Sequence, residues 1–149
     1  MFINLYTKNS NGTFRAMSII ETIAQASKNL LMISESDFPF EPLEWQRQVN
    51  EKLKEKELIQ HFNYPENTKV ETLSVEIFFR QACTEQEWHT QAEKETAKKF
   101  QYLLATLEKE LSHLQAFRVY KSSTNIEVYI LGQTTTGEIA GLKTEVVET

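Results

Sequence analysis

Between Ser18 and Ile33 the chain reads SIIETIAQASKNLLMI, and Ile19, Ile23, Ala26, Leu30 and Ile33 recur at three- and four-residue steps. That period predicts an amphipathic helix with one buried stripe. Ser18 and Glu21 stand at capping-box spacing, so serine hydroxyl and glutamate carboxylate can each satisfy a free backbone N–H at the helix start. The stretch that follows, SESDFPFEPLEW, carries Pro39 and Pro42, which forbid helical continuation. Leu43 to Gln48 then reads as a short strand. Residues 50–62, NEKLKEKELIQHF, combine strong helix formers with a ragged apolar pattern, which leaves a solvated helix and a mobile loop both open.

Lys69 to Thr72 has strand character, and Ser74 can cap a short helix in which Val75, Phe78, Phe79 and Ala82 share a face. Thr84 and Glu87 form a second capping box, with Cys83 and Trp88 placed as a hydrophobic staple, and predict a helix from there to about Leu114. Its apolar stripe is Ala92, Thr96, Phe100, Leu103, Leu107, Leu111 and Leu114. Beyond it the period changes to two. Phe117 to Lys121, Ile126 to Leu131 and Glu138 to Val147 alternate as strands, joined by turns at SSTN and TTTG, and predict an antiparallel meander. Ile126, Val128 and Ile130 oppose Tyr129 and Leu131, so both faces of the sheet need helical cover.

Composition narrows the function classes. At 149 residues, with 40% apolar and 11% aromatic positions, the chain can build one core. Sixteen basic against 21 acidic residues give a net charge of -5, which disfavours direct contact with nucleic acid or anionic lipid and suits a basic protein partner. Cys83 is the single cysteine, so neither an internal disulfide nor a thiolate zinc cluster can form, in keeping with a reducing cytoplasm. No signal peptide pattern or run of about 20 apolar residues is present, and a soluble intracellular protein is expected. Residues 1–16 read as a tail of uncertain order and 17–149 as a single domain.

Catalytic chemistry finds little purchase. His61, His89 and His113 match no metal-ligand spacing, and with 4 glycines in all there is no phosphate-cradling loop. Glu35 and Asp37 could form an acid and base pair, although sequence proximity does not give two carboxylates different environments. Acids at the end of a helix oppose its macrodipole, so these carboxylates serve recognition or local structure more readily than catalysis. The chain ends in VVET with a strand pattern running almost to Thr149, where a free carboxylate could be delivered to a fixed position.

Taken together and in this order, LLMISESDFPFEPLEW, EIFFRQACTEQEW, VYILGQTTTGEIAGLKT and the final VVET resemble the nuclease A inhibitor family of cyanobacteria. The resemblance spans roughly Ile19 to Thr149 and weakens over residues 46–68. It implies an α+β fold, a three-layer α/β/α sandwich of the PR-1-like type with a mixed, largely antiparallel sheet. It also implies a protein that is no enzyme and needs no cofactor. Such a protein binds and blocks the active site of a sugar-non-specific, magnesium-dependent DNA/RNA endonuclease. The family's recognition positions fall on Glu35, Glu87, Trp88 and Thr149, with Thr149 approaching the partner's magnesium. The family pattern has aspartate where Glu87 stands, one methylene shorter, so that contact would be longer or rearranged. The alternative is a non-inhibitory protein-interaction module on the same fold, and an acid-base hydrolase is a third reading.

Overall fold

Ser18 starts the first helix as its side chain predicts. Its Oγ accepts the Glu21 N–H at 3.2 Å, and the Glu21 carboxylate accepts the Ser18 N–H at 3.3 Å. Arg15 joins the same carboxylate through two hydrogen bonds of 2.8 and 3.2 Å. Those Arg15 bonds, with help from Ser18, hold the Glu21 carboxyl at about 2. The computed structural model describes residues 6–8, 11–12, 14–47 and 51–148. Their elements are β1 (Tyr6–Lys8), β2 (Phe14–Ala16), α1 (Ile19–Ser27), β3 (Leu31–Ile33), β4 (Asp37–Pro39) and β5 (Glu41–Trp45). There follow α2 (Glu55–His61), β6 (Val70–Leu73), α3 (Val75–Cys83), α4 (Gln91–Glu110), β7 (Ser112–Tyr120), β8 (Asn125–Gln133) and β9 (Ile139–Val147). The segment read as a tail thus carries a small hairpin, β1 against β2.

The main sheet has the order β5-β9-β8-β7-β6. The predicted meander is its centre, β7 to β8 to β9. Among the described residues every strand pair is antiparallel, so the sheet is not mixed. Pro42 lies in β5, an edge strand, where a missing N–H costs no ladder bond on the open side.

The two faces of β8 feed two apolar clusters, as its double alternation predicts. Ile126, Val128 and Ile130 pack with Ile23 of α1, Val75 and Phe79 of α3, and Phe100, Leu103 and Leu107 of α4. Tyr129 and Leu131 pack on the other side with Leu53 and with Leu58 of α2. Of the two readings left open for residues 50–62, the helix holds over Glu55–His61, with Leu58 fully buried in the cluster on this face of the sheet and Leu53 and Phe62 packing on either side of it in sequence. His61 stacks on Trp45 with ring centroids 3.9 Å apart, which closes this cluster against β5.

Two helix boundaries differ from the sequence reading, each for a local reason. The first helix stops at Ser27, not Ile33, because Asn29 takes a left-handed φ of 65° and turns the chain into β3. Leu30 still reaches the core, which is why its spacing fits a longer helix. The long helix begins at Gln91, not at Thr84. Thr84 is already committed to ending α3, its hydroxyl donating to the Arg80 carbonyl at 2.6 Å and its N–H to that of Gln81 at 3.3 Å. Thr90 and Glu93 make the capping box instead, and α4 ends before the predicted Leu114.

Beneath α2, the face of the sheet opposite α4 holds a buried polar network. Glu127 accepts from Lys143 at 2.7 Å, from Tyr64 at 2.8 Å and from Lys121 at 3.2 Å, and the Tyr64 and Tyr129 hydroxyls are 2.6 Å apart. Burial alone pushes the Glu127 carboxyl up, but the bonds from Lys143, Tyr64 and Lys121 outweigh it and hold the group below its ordinary value. Burial, and then mutual hydrogen bonding with Tyr129 and Glu127, pushes the Tyr64 phenol far up. Tyr129 is raised chiefly by burial. For Lys143 burial acts downward and is overcome by the hydrogen bond to Glu127, so it too is raised.

Tyr64, Tyr129 and Lys143 therefore hold their protons more tightly folded than unfolded. Their contribution to stability is complete below the ordinary phenol and lysine range, about pH 10, and is lost as the pH rises from there toward their raised folded values. Glu127 has the opposite sign, contributing above about pH 4.5 and losing that contribution as the pH falls. The urea midpoint is expected to fall steadily as the pH rises above about 10, and Tyr64→Phe should flatten that fall. A midpoint unchanged above that pH would show that the network does not titrate with unfolding.

Candidate functional site

SESDFPFEPLEW forms a hairpin and the strand after it, not a helix exit. β3 and β4 pair in the register Leu31↔Pro39, Met32↔Phe38 and Ile33↔Asp37, so Ser34, Glu35 and Ser36 make the tip. Ser34 Oγ donates to the Ser36 carbonyl at 2.8 Å and shapes the bend. The acids accordingly do not sit at a helix terminus, and their position needs no argument from the macrodipole. Phe40 fixes the return leg. It is buried, with ring centroids 6.2 Å from Phe79 and 6.0 Å from Phe100.

The tip is tied to the last strand. Val147 N–H donates to Ser34 Oγ at 3.1 Å, and Glu35 N–H donates to the Val147 carbonyl at 3.3 Å. Lower on the same hairpin, Thr144 Oγ1 donates to the Pro39 carbonyl at 3.0 Å. Glu35 is thus brought to the end of β9, beside Val147. Glu148 is held there by its N–H to the Thr124 carbonyl, 2.8 Å, and by its carboxylate on Arg118, 2.5 Å. Thr149 lies outside the described residues. Asp37, Glu41 and Glu44 are exposed along β4 and β5.

Glu87 and Trp88 stand on the loop between α3 and α4, both exposed, with Trp88 at 76%. The predicted staple of Cys83 on Trp88 does not form, since the helix it would brace starts later. The loop is stiffened in another way: His89 Nδ1 accepts the Gln86 N–H at 3.0 Å, and His89 N–H donates to the Gln86 carbonyl at 3.1 Å. The Trp88 ring meets His89 edge to face at 4.4 Å. Gln101 Nε2 clamps the Cys83 carbonyl at 2.6 Å from the side of α4.

Between hairpin and loop lies an open groove of about 390 Å³. Met32 and Ile33 form one wall, Phe78 and Ala82 of α3 the second, and Ala92 and Phe100 of α4 the third. Glu35 follows Ile33 by two residues and Trp88 precedes His89, another lining residue, by one. None of Glu35, Glu87 and Trp88 lines the groove itself; Glu35 and Trp88 stand one or two residues from residues that do. Ile33 is 69% exposed beside it, a large apolar side chain left uncovered. Sequence reasoning missed Ile33, Ser34 and Arg118. The spacing of Ile33 fits a helical stripe, and Ser34 and Arg118 matter only through contacts with β9 and Glu148, which no local pattern encodes.

Catalytic alternatives gain no support from this geometry. Among the described residues no group of three or more His, Cys, Asp or Glu side chains is arranged to hold a metal ion. Burial, aided by the Glu108 charge, pushes the Cys83 thiol up, away from the thiolate that a nucleophile requires. His61 is engaged with Trp45 and His89 with Gln86, while His113 occupies a bulge in β7 with a φ of 51°. Among the described residues no helix is long and apolar enough to cross a membrane.

A search of curated proteins gave no match. Comparison with protein-family models matched residues 17–149, most of the chain and all of the site just described, to the family described as Nuclease A inhibitor-like protein. The chain belongs to that nuclease A inhibitor-like family.

Proposed function

We propose that this protein inhibits a magnesium-dependent, sugar-non-specific endonuclease by occupying its active site, on a three-layer α/β/α sandwich of the PR-1-like type. The observation that carries the reading is the pair of hydrogen bonds joining Ser34 and Glu35 to Val147, which brings the Glu35 segment to the end of β9. A nuclease uses arginines and a divalent cation to hold phosphates. Carboxylates fixed on a rigid scaffold compete for the same groups, and arginine-carboxylate pairs are well matched in geometry. Glu35 and Glu87 supply such carboxylates, and Trp88 supplies the aromatic anchor common at interface hot spots. Thr149 approaches the partner's magnesium directly or through a water, since magnesium dehydrates reluctantly. Apolar clusters on both faces of the sheet support the sandwich reading. The protein works without a cofactor and without turnover.

The test is a titration into such a nuclease with DNA cleavage as the readout. Activity is expected to fall linearly and vanish at one equivalent, and deletion of Thr149 should weaken inhibition by roughly tenfold, about 1.4 kcal/mol. Full cleavage in the presence of excess protein would sink the inhibitory reading. Binding without loss of cleavage would mark a non-inhibitory interaction module. Undiminished potency after the deletion would remove the terminus from the mechanism.

A further inference from the structure

We propose that the groove between the β3–β4 hairpin and helices α3 and α4 receives an arginine side chain of the nuclease, its methylenes against Ile33, Phe78 and Ala92 and its guanidinium on Glu93. This rests on the inhibitory reading and names the partner chemistry that the groove selects. The walls are apolar along the hairpin and both helices, and the groove opens beside two uncovered apolar residues, Ile33 and Trp88. Glu93 is the one lining residue of fixed charge among the described residues, and no lysine or arginine lines the groove with it. Gln81, Thr84, His89 and Thr96 add neutral polar groups to the lining, and a largely apolar groove with one carboxylate fits a long apolar stem with a cationic head. Glutamates 35, 85 and 87 on the flanking segments extend the negative field, although Glu85 also meets Lys98 at 4.0 Å.

Glu93 has capacity to spare. One of its oxygens accepts the Thr90 N–H at 3.1 Å, whereas a carboxylate offers about four acceptor sites. The capping bonds from the Thr90 backbone and side chain also hold its carboxyl below the usual range, so it stays charged under mildly acidic conditions. Arginine fits better than lysine because its flat head bonds a carboxylate in a fork, which a point-like ammonium cannot do.

Two variants test the proposal against the nuclease. Ala92 is exposed on the first turn of α4, so Ala92→Trp plugs the groove from its rim while leaving the core untouched. Glu93→Gln keeps the capping box, which accepts Glu or Gln, and removes the charge. Each is expected to raise the dissociation constant by about tenfold, the Glu93→Gln loss shrinking at high salt. Should the tryptophan unfold the protein, Ala92→Met plugs the same opening with a good helix former. Wild-type affinity for a folded, plugged variant overturns the proposal. Weakening by the plug but not by Glu93→Gln overturns it too, in favour of a purely apolar occupant. Glu35→Ala in parallel separates the two levels: if it weakens binding while neither groove variant does, only the groove assignment falls. If the wild-type protein does not bind the nuclease, both fall.

Discussion

Glu35→Ala is expected to weaken the complex with the nuclease by about 2–5 kcal/mol, roughly thirtyfold to several thousandfold, while leaving the thermal midpoint of the free protein almost unchanged. The size follows from the setting of the charge. Truncating one member of a charge pair that is desolvated at the centre of an interface leaves the other buried without its partner, and most of the loss comes from that stranded cation. The neutrality toward folding follows from the hairpin. Glu35 is exposed, and the tip is fixed by the Glu35 N–H, the Ser34 hydroxyl and Phe40, none of which the substitution removes. Glu35→Gln preserves shape and should lose nearly as much affinity as alanine, which would assign the effect to charge. Ser34→Ala should lose less, because it loosens the tip without discharging it. Inhibition constants and melting curves for the three variants decide the matter, and an unchanged constant for Glu35→Ala would refute the assignment.

What the sequence reveals of this site depends on how local each determinant is. The caps of α1 and α3 are readable because serine and its partner lie within one turn, and the meander is readable because alternation and turn residues are contiguous. The end of α1 is not readable from periodicity, since Leu30 and Ile33 keep helical spacing although the chain has left the helix at Asn29. Leu31–Ile33 becomes a strand only because Asp37–Pro39 is available to pair with it. Two capping boxes compete for the start of α4, and the choice between them depends on Thr84 being used to close α3, a fact of the preceding helix. Trp88 consequently changes role, from a brace in the sequence reading to an exposed side chain in the structure. Glu35 is singled out by its motif, but its neighbourhood is not. The Ser34 to Val147 bond spans 113 positions, and the groove is assembled from a hairpin and two helices that have no common pattern.

Gly141→Ala should have the complementary effect, a large loss of stability with little change in the affinity of the molecules that remain folded. Gly141 sits in the middle of β9, paired with Leu43 on one side and Leu131 on the other. A Cβ at this position would lie 1.9 Å from the Ile130 carbonyl oxygen and 3.1 Å from Leu131 Cα, both backbone atoms. A flexible side chain can swing away from such a clash, but a ladder carbonyl cannot move without breaking the bonds that hold β8 to β9. Overpacking of this kind costs roughly 3 kcal/mol or more, which in a domain of this size lowers the melting temperature by about 6–12 °C. At Gly132 the clash is milder: the nearest atom is Leu111 Cβ at 2.8 Å, a side-chain atom, although the Ser112 carbonyl oxygen follows at 2.9 Å. Gly132→Ala should therefore fall between Gly141→Ala and the wild type. Because Gly141 is buried and neither it nor Ile130 and Leu131, the residues its Cβ would meet, line the groove, inhibition measured well below the melting transition should stay near wild type. If Gly141→Ala melts with the wild type, the close approach of β8 and β9 is wrong. If instead it loses affinity while fully folded, β9 positions the tip of the hairpin more tightly than the Ser34 and Glu35 bonds alone require.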